Sequence, residues 1–249
     1  MNSAIKAMVL AAGRGERMRP LTDSTPKPML RVRGKPLIRW HVDALARQGF
    51  DAIVINTAWL GEQIPAYFGP EPLSDDRKPL SISYSYEGLD FGCALETAGG
   101  IVRALPLLGD MFWCVGGDVF VPDFDFSLHA VQRFARGDKL AHLWLVPNPD
   151  HNPKGDFGLA PDRDAPGRQL ALSQASQKYT YSTIGLYRRE LFARPWCEVP
   201  SGNPQGVKTP LAPLLRLAMD NQRISAELYT GAWIDVGTPE RLAQLNQNR

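Results

Sequence analysis

Short, wholly apolar runs alternate with helix-length patterns through the first half of the chain, and this alternation restricts the fold more than any other feature. Residues 5–11, 52–56, 111–115 and 141–146 are almost continuously apolar, as strands buried on both faces are. After the first of them, Leu37, Ile38, His41, Leu45 and Ala46 keep helical spacing. Pro36 stands where that helix would begin and Gly49 where it would stop. Further helices are expected over residues 59–68, 98–108 and 127–136, with Pro65 tolerable only in a first turn. Residues 80–86 alternate as a half-exposed strand. This order predicts an α/β fold: a Rossmann-like, mostly parallel central sheet with helices on both faces.

The second half is more irregular. Short strands are expected over 157–160, 170–173, 182–187, 224–229 and 232–236, and a helix over 210–219. Thr238-Pro239-Glu240 opens a last helix with a capping hydroxyl, a proline and an acid. With 249 residues, 44% of them hydrophobic and 22% charged, the chain can bury one large core, which excludes a disordered or fibrous protein. No repeat, low-complexity segment or linker divides it. One domain over 1–249 is expected, with a small substrate-side subregion.

A net charge of +2 is too small to make nucleic acid the main partner. No apolar run approaches the ~20 residues that span a bilayer, so no membrane is expected. The apolar stretch at residues 7–12 is shorter than the ~7–15 residues of a secretory core and reads as a buried first strand. Cys93, Cys114 and Cys197 form no close pair, which disfavours a disulfide framework or zinc site and fits a cytoplasmic location.

The chemistry concentrates in LAAGRGERMRPLT (residues 10–22), followed by TPKPM (residues 25–29). The string follows a strand, and ligands of open α/β sheets bind beyond the carboxyl ends of strands. Gly13 and Gly15 let backbone N–H groups approach phosphate without a Cβ in the way. Arg14, Arg17, Arg19 and Lys27 offer the charge a triphosphate needs. A G-x-G alone would read as a surface loop with solvated cations; the whole string does not. There is no G-x-x-x-x-G-K-[ST], and Met18 replaces the third dinucleotide-type glycine, which disfavours both a P-loop enzyme and an oxidoreductase.

The string resembles the signature of the sugar-nucleotide pyrophosphorylases, the nucleoside-triphosphate:sugar-1-phosphate nucleotidyltransferases. Segments 56–61 (NTAWLG), 95–100 (LETAGG), 117–119 (GDV), 155–157 (GDF) and 233–238 (WIDVGT) extend the resemblance over almost the whole chain. Within the family it is closest to the N-acetylmuramate-1-phosphate uridylyltransferases of cell-wall recycling. The resemblance implies a nucleotide-diphospho-sugar transferase fold, with a nucleotide-binding half (1–140) and a sugar-binding half (141–249). It implies binding of the nucleotide by Leu10, Ala11, Ala12, Gly13 and Gly15, and of its phosphates by Arg17 and Lys27. It makes Asp118 and Asp235 ligands of a catalytic Mg²⁺. Carboxylates at sheet edges suit that ion, which takes one or two carboxylates with phosphate and water oxygens; each aspartate also reads as a turn or helix cap.

The segment from residue 95 resembles the base-reading loop of the family, with Glu96 and Thr97 at the base edge and Gly99 and Gly100 admitting its face. Ala98 departs from the expected LETGGG, and for Thr97 a packing role at a helix start remains open. Asn148, Asp156, Gly158 and Thr183 are the sugar-binding candidates. Residues 173–179 (SQASQKY) stand where many relatives have Glu-Lys-Pro. Lys208 reads equally as a ligand of the sugar phosphate or a solvated lysine. The four histidines show no metal spacing; His41 is expected to pack on its helix. Trp40 and Trp59 read as core or pocket wall.

The implied reaction is direct in-line attack of a sugar-1-phosphate on the α-phosphorus of a nucleoside triphosphate, UTP by the resemblance. Its partners are those two substrates, and a monomer or weak homo-oligomer is expected. The rival readings are a mannose- or heptose-1-phosphate guanylyltransferase and a regulator that binds sugar nucleotides without catalysis.

Overall fold

The computed structural model describes residues 5–247. β1 (Lys6–Leu10) leads through three short 3-10 turns to a hairpin, β2 (Arg31–Val32) and β3 (Lys35–Pro36), and then to α1 (Leu37–Arg47). Next come β4 (Ala52–Thr57), α2 (Gln63–Phe68), β5 (Ser81–Tyr86), α3 (Glu87–Phe91) and α4 (Glu96–Ala104). β6 (Met111–Gly116), β7 (Val119–Phe120), α5 (Leu128–Arg136) and β8 (Ala141–Val146) follow. The rest supplies β9 (Gly158–Pro161), β10 (Gln169–Leu172), β11 (Thr180–Arg188), α6 (Leu211–Asp220), β12 (Ile224–Leu228), β13 (Ile234–Asp235) and α7 (Pro239–Gln247).

Nine strands form one sheet in the order β5-β4-β1-β6-β11-β8-β12-β10-β9. Only β11 and β10 run against the others, so the sheet is mostly parallel as expected. The pairing of β6 with β11, Val115 opposite Ile184, carries the sheet from the first half of the chain into the second. Side-chain alternation sorts two cores. Met8, Phe112 and Cys114 face α4 and α6, whereas Ala7, Val9 and Trp113 face α1, α2 and α5. Trp113 is wholly buried, with ring centroids of Trp144 and Phe126 at 4.9 and 5.2 Å. Helices therefore cover both faces.

A third core ties distant segments together. Met18, Leu30, Val32, Leu37, Phe120, Val236, Leu242 and Leu245 join the loop after β1, the hairpin, β7, β13 and α7. Asn246 adds polar ties: its Oδ1 accepts from the Arg33 N–H at 2.7 Å and its Nδ2 donates to the Arg31 carbonyl at 3.1 Å.

Several boundaries differ from the sequence reading. α2 starts at Gln63 rather than 59, which puts Pro65 in its first turn. α4 starts at Glu96, so Gly99 and Gly100 lie inside it. β11 runs from Thr180 to Arg188 and breaks register between Tyr181 and Gly185. The two-residue strands of the hairpin and β7, and the five-residue α3, were not anticipated. No helix among the described residues is long and apolar enough to cross a membrane.

Candidate active site

A cleft of about 570 Å³ opens where β1, β4 and β6 end, lined by Leu10, Asn56 and Gly116 from the carboxyl ends of these strands. The Gly117 N–H donates to the Leu10 carbonyl at 2.8 Å and ties two of these ends together.

The loop after β1 forms one wall through Ala11, Ala12, Gly13 and Lys27. Gly15 has φ +68°, and a Cβ there would lie 3.0 Å from Thr22 and 3.1 Å from Lys27, so this turn requires glycine. Arg14 donates to the Thr22 carbonyl at 2.9 Å, meets Asp23 at 3.2 Å and stacks 3.8 Å over the Trp59 ring. Trp59 donates to the same Thr22 carbonyl at 2.9 Å. Arg19 pairs with Asp23 at 2.8 Å. The hydrogen bond from Arg14, aided by Arg19, holds the Asp23 carboxyl below its usual range. Arg14 and Arg19 thus shape the loop. Exposed Arg17 makes no ion pair among the described residues, which leaves its guanidinium available to an anion, although it does not line the cleft. Lys27 is buried and donates to Asp118 Oδ2 at 2.7 Å.

Asp118 stands on the turn between β6 and β7, its side chain 41% exposed at the cleft. β7 and β13 form a ribbon in which Val119 faces Asp235 and the Val236 N–H donates to the Asp118 carbonyl at 3.0 Å. Two aspartates far apart in sequence therefore come side by side, Asp118 on the turn that leads into β7 and Asp235 on β13. Asp235 does not line the cleft. Its carboxylate accepts from Arg241 at 2.8 Å and meets His151 at 3.1 Å, and Arg241 also reaches its carbonyl. His41 underpins the ribbon: its Nε2 donates to the Val119 carbonyl at 2.9 Å. Burial pushes this histidine down to about 4, so it is neutral, with its proton on Nε2.

Among the described residues no group of three or more His, Cys, Asp or Glu side chains gathers as a metal cluster. Asp118 and Asp235 are hard oxygen donors, Asp118 at the cleft and Asp235 behind it on the paired strand, where Arg241 and His151 hold its carboxylate. Such a set fits Mg²⁺, which leaves its remaining positions to phosphate and water.

At the far end, Ala11 N–H donates to Asn56 Oδ1 at 2.8 Å and Asn56 Nδ2 donates to Glu87 Oε1 at 2.6 Å. Glu87 Oε2 accepts from the Leu95 N–H at 2.7 Å. Glu87 is fully buried, and burial pushes its carboxyl up despite these donors. The network fixes Glu96 and Thr97 against the cleft, with Glu96 in a left-handed conformation at φ +64° that is strained for a non-glycine residue. The glycines after them serve the protein's own packing. A Cβ at Gly99 would lie 2.7 Å from the Val207 carbonyl, and one at Gly100 2.5 Å from Glu87 Oε1. Neither lines the cleft. Lys208 is exposed and also lies outside the lining.

Of the sugar candidates, Asp156 and Thr183 line the cleft and Asn148 and Gly158 do not. Asn148 is engaged inside its turn, donating to the Pro153 and Lys178 carbonyls and accepting from Thr180 at 3.0 Å. A Cβ at Gly158 would run into Ala175. Asp156 accepts from the Tyr181 N–H at 2.8 Å. Thr183 sits in the register break with φ +66°, and its buried hydroxyl has no hydrogen-bond partner among the described residues. Sequence reasoning assigned no role to Asn56, Glu87, Tyr181 or Arg216, all of which line the cleft. Asn56 carries the one legible signal, a polar residue ending an apolar strand.

The nucleotidyl transferase family model matches residues 6–249, and the chain belongs to that family. An N-acetylmuramate alpha-1-phosphate uridylyltransferase of Neisseria meningitidis is 46% identical over 96% of each chain. A protein of the same description from Caulobacter vibrioides is 30% identical over 94% of this chain and 92% of its own. A solved UDP-glucose pyrophosphorylase from Acinetobacter baumanii superposes with a TM-score of 0.71 at 17% identity, over 97% of this chain and 92% of its own, which shows the shared fold.

Proposed function

We propose that this enzyme transfers the uridylyl group of UTP to N-acetylmuramate α-1-phosphate and releases pyrophosphate. The observation that carries the reaction class is the cleft at the strand ends in which buried Lys27 meets Asp118. The base and acceptor follow the likeness to the Neisseria and Caulobacter relatives. A cytoplasmic place of work accords with three free cysteines.

The acceptor phosphate is already an anion, so attack on the α-phosphorus needs no general base. What the protein must do is hold two anions in line and offset their repulsion. Lys27 puts a buried cation at the phosphates, and Arg17, without an ion pair among the described residues, offers an exposed cation outside the cleft lining for the departing pyrophosphate. Mg²⁺ held by Asp118 and Asp235 supplies Lewis-acid charge at the phosphate oxygens when bound. The loop from Ala12 to Gly15 presents backbone N–H groups to the triphosphate, since the Ala11 N–H is taken by Asn56. Glu96 and Thr97 read the base edge, and Asp156 and Thr183 face the sugar.

Pyrophosphate release, measured for each nucleoside triphosphate against a panel of sugar-1-phosphates with Mg²⁺, tests this reading. It predicts the highest kcat/KM for UTP with N-acetylmuramate 1-phosphate. A preference for GTP with mannose 1-phosphate would replace it with the guanylyltransferase reading. Binding of nucleotide sugars without any turnover would leave a regulator.

A further inference from the structure

We propose that Arg216 of α6 is a specificity-determining residue that binds a second anionic group on the acceptor, the carboxylate borne by a muramic acid sugar. The proposal rests on the functional reading above and deepens it. Arg216 and Lys27 are the two cations that line the cleft among the described residues. Lys27 is committed to Asp118 at the phosphate end. Arg216 lines the same cleft from α6, its guanidinium 5.9 Å from the centre of the Phe157 ring, the residue after Asp156.

Asp156 does not neutralise it. That carboxylate is turned to the Tyr181 N–H and to Asn152, and Arg216 makes no ion pair among the described residues. Nor is Arg216 needed to cap its helix, since it lies in the helix interior. Ala212, one turn earlier on the same face, is small and leaves space in front of it. The result is a helix-borne guanidinium at the cleft wall, without an ion pair among the described residues.

A neutral hexose phosphate gives this cation nothing to bind. N-acetylmuramate 1-phosphate carries, besides its phosphate, a lactyl ether ending in a carboxylate. Arg216 is exposed at the cleft wall, so the contact rests on geometry rather than on burial: a carboxylate meets a guanidinium bidentately. Phe157 limits where the guanidinium can swing, which lowers the ordering cost of the contact.

The test compares wild type, Arg216→Ala and Arg216→Lys with UTP and Mg²⁺. The KM for N-acetylmuramate 1-phosphate is measured beside the inhibition constant of N-acetylglucosamine 1-phosphate, which lacks only the lactyl ether. In Arg216→Ala the KM should rise about 10- to 100-fold, the scale of a lost charge-assisted hydrogen bond. Its kcat and the inhibition constant should stay unchanged, and Arg216→Lys should recover part of the loss. An unchanged KM, or an equal rise in both constants, overturns the proposal while the functional reading stands. A wild type that does not transfer to N-acetylmuramate 1-phosphate at all removes both.

Discussion

At the scale of single residues, the site is a set of side chains whose neighbours decide what each is free to do. Arg14 and Arg19 are held by Asp23 and Trp59 and shape the loop, whereas Arg17 makes no ion pair among the described residues. Lys27 is buried against Asp118, so each depends on the other. Lys27→Met should lower kcat by about 10²- to 10³-fold, the scale of one lost electrostatic contact in a transition state, with the circular dichroism spectrum unchanged. His41 makes a prediction about stability. Its protonation midpoint falls from 6.5 to about 4 on folding. The unfolded chain takes up this proton below about 6.5 and the folded chain only below about 4, so the unfolded state is favoured as pH falls through that window. The shift is equivalent to about 3 kcal/mol lost by pH 4. Urea melts at stepped pH should show this slope in the wild type and its loss in His41→Asn; parallel slopes would contradict it.

At the scale of elements, short polar links hold the base end and the metal end to the sheet. Glu87 joins β4 to the start of α4 through Asn56 and the Leu95 N–H. Glu87→Ala leaves two buried donors unpaired and should cost about 2 to 4 kcal/mol. It should also raise the KM for the triphosphate, because Glu96 loses its support; kinetics and thermal unfolding of the variant check both. α7 packs Leu242 and Leu245 beneath the hairpin and β13, so Leu242→Ala should cost about 2 to 5 kcal/mol and loosen Asp235 as well. Weakened Mn²⁺ binding, followed by electron paramagnetic resonance, would report that loosening. The elements also explain what could be read in advance. β1, β4, β6 and β8 are buried on both faces, and continuous apolar runs announce such strands. β7 is two residues long, too short for any periodicity, yet its pairing with β13, which lies inside the strand expected over 232–236, is what brings residues 118 and 235 together. The loop from Leu10 to Lys27 was legible because its residues are contiguous. Asn56, Glu87 and Arg216 were not, because only the packing of β4, α3 and α6 around one cleft gives them a shared purpose.

At the scale of the molecule, a nine-stranded sheet gathers strands from both halves of the chain and leaves one cleft across their junction. The loop after β1 and the base-end network come from the first half, the sugar end and Asp235 from the second. The third core clamps the phosphate loop to the last helix, so both ends of the described chain converge on the reaction centre. The account therefore stands on nucleotidyl transfer within this cleft. Phosphorus NMR of UTP, Mg²⁺ and N-acetylmuramate 1-phosphate with wild type and with folded Asp118→Asn tests that most directly. The predicted result is replacement of the triphosphate signals by pyrophosphate and a sugar diphosphate with the wild type, and unchanged substrates with the variant. Undiminished product formation by Asp118→Asn, or none by the wild type with any sugar phosphate, would contradict it.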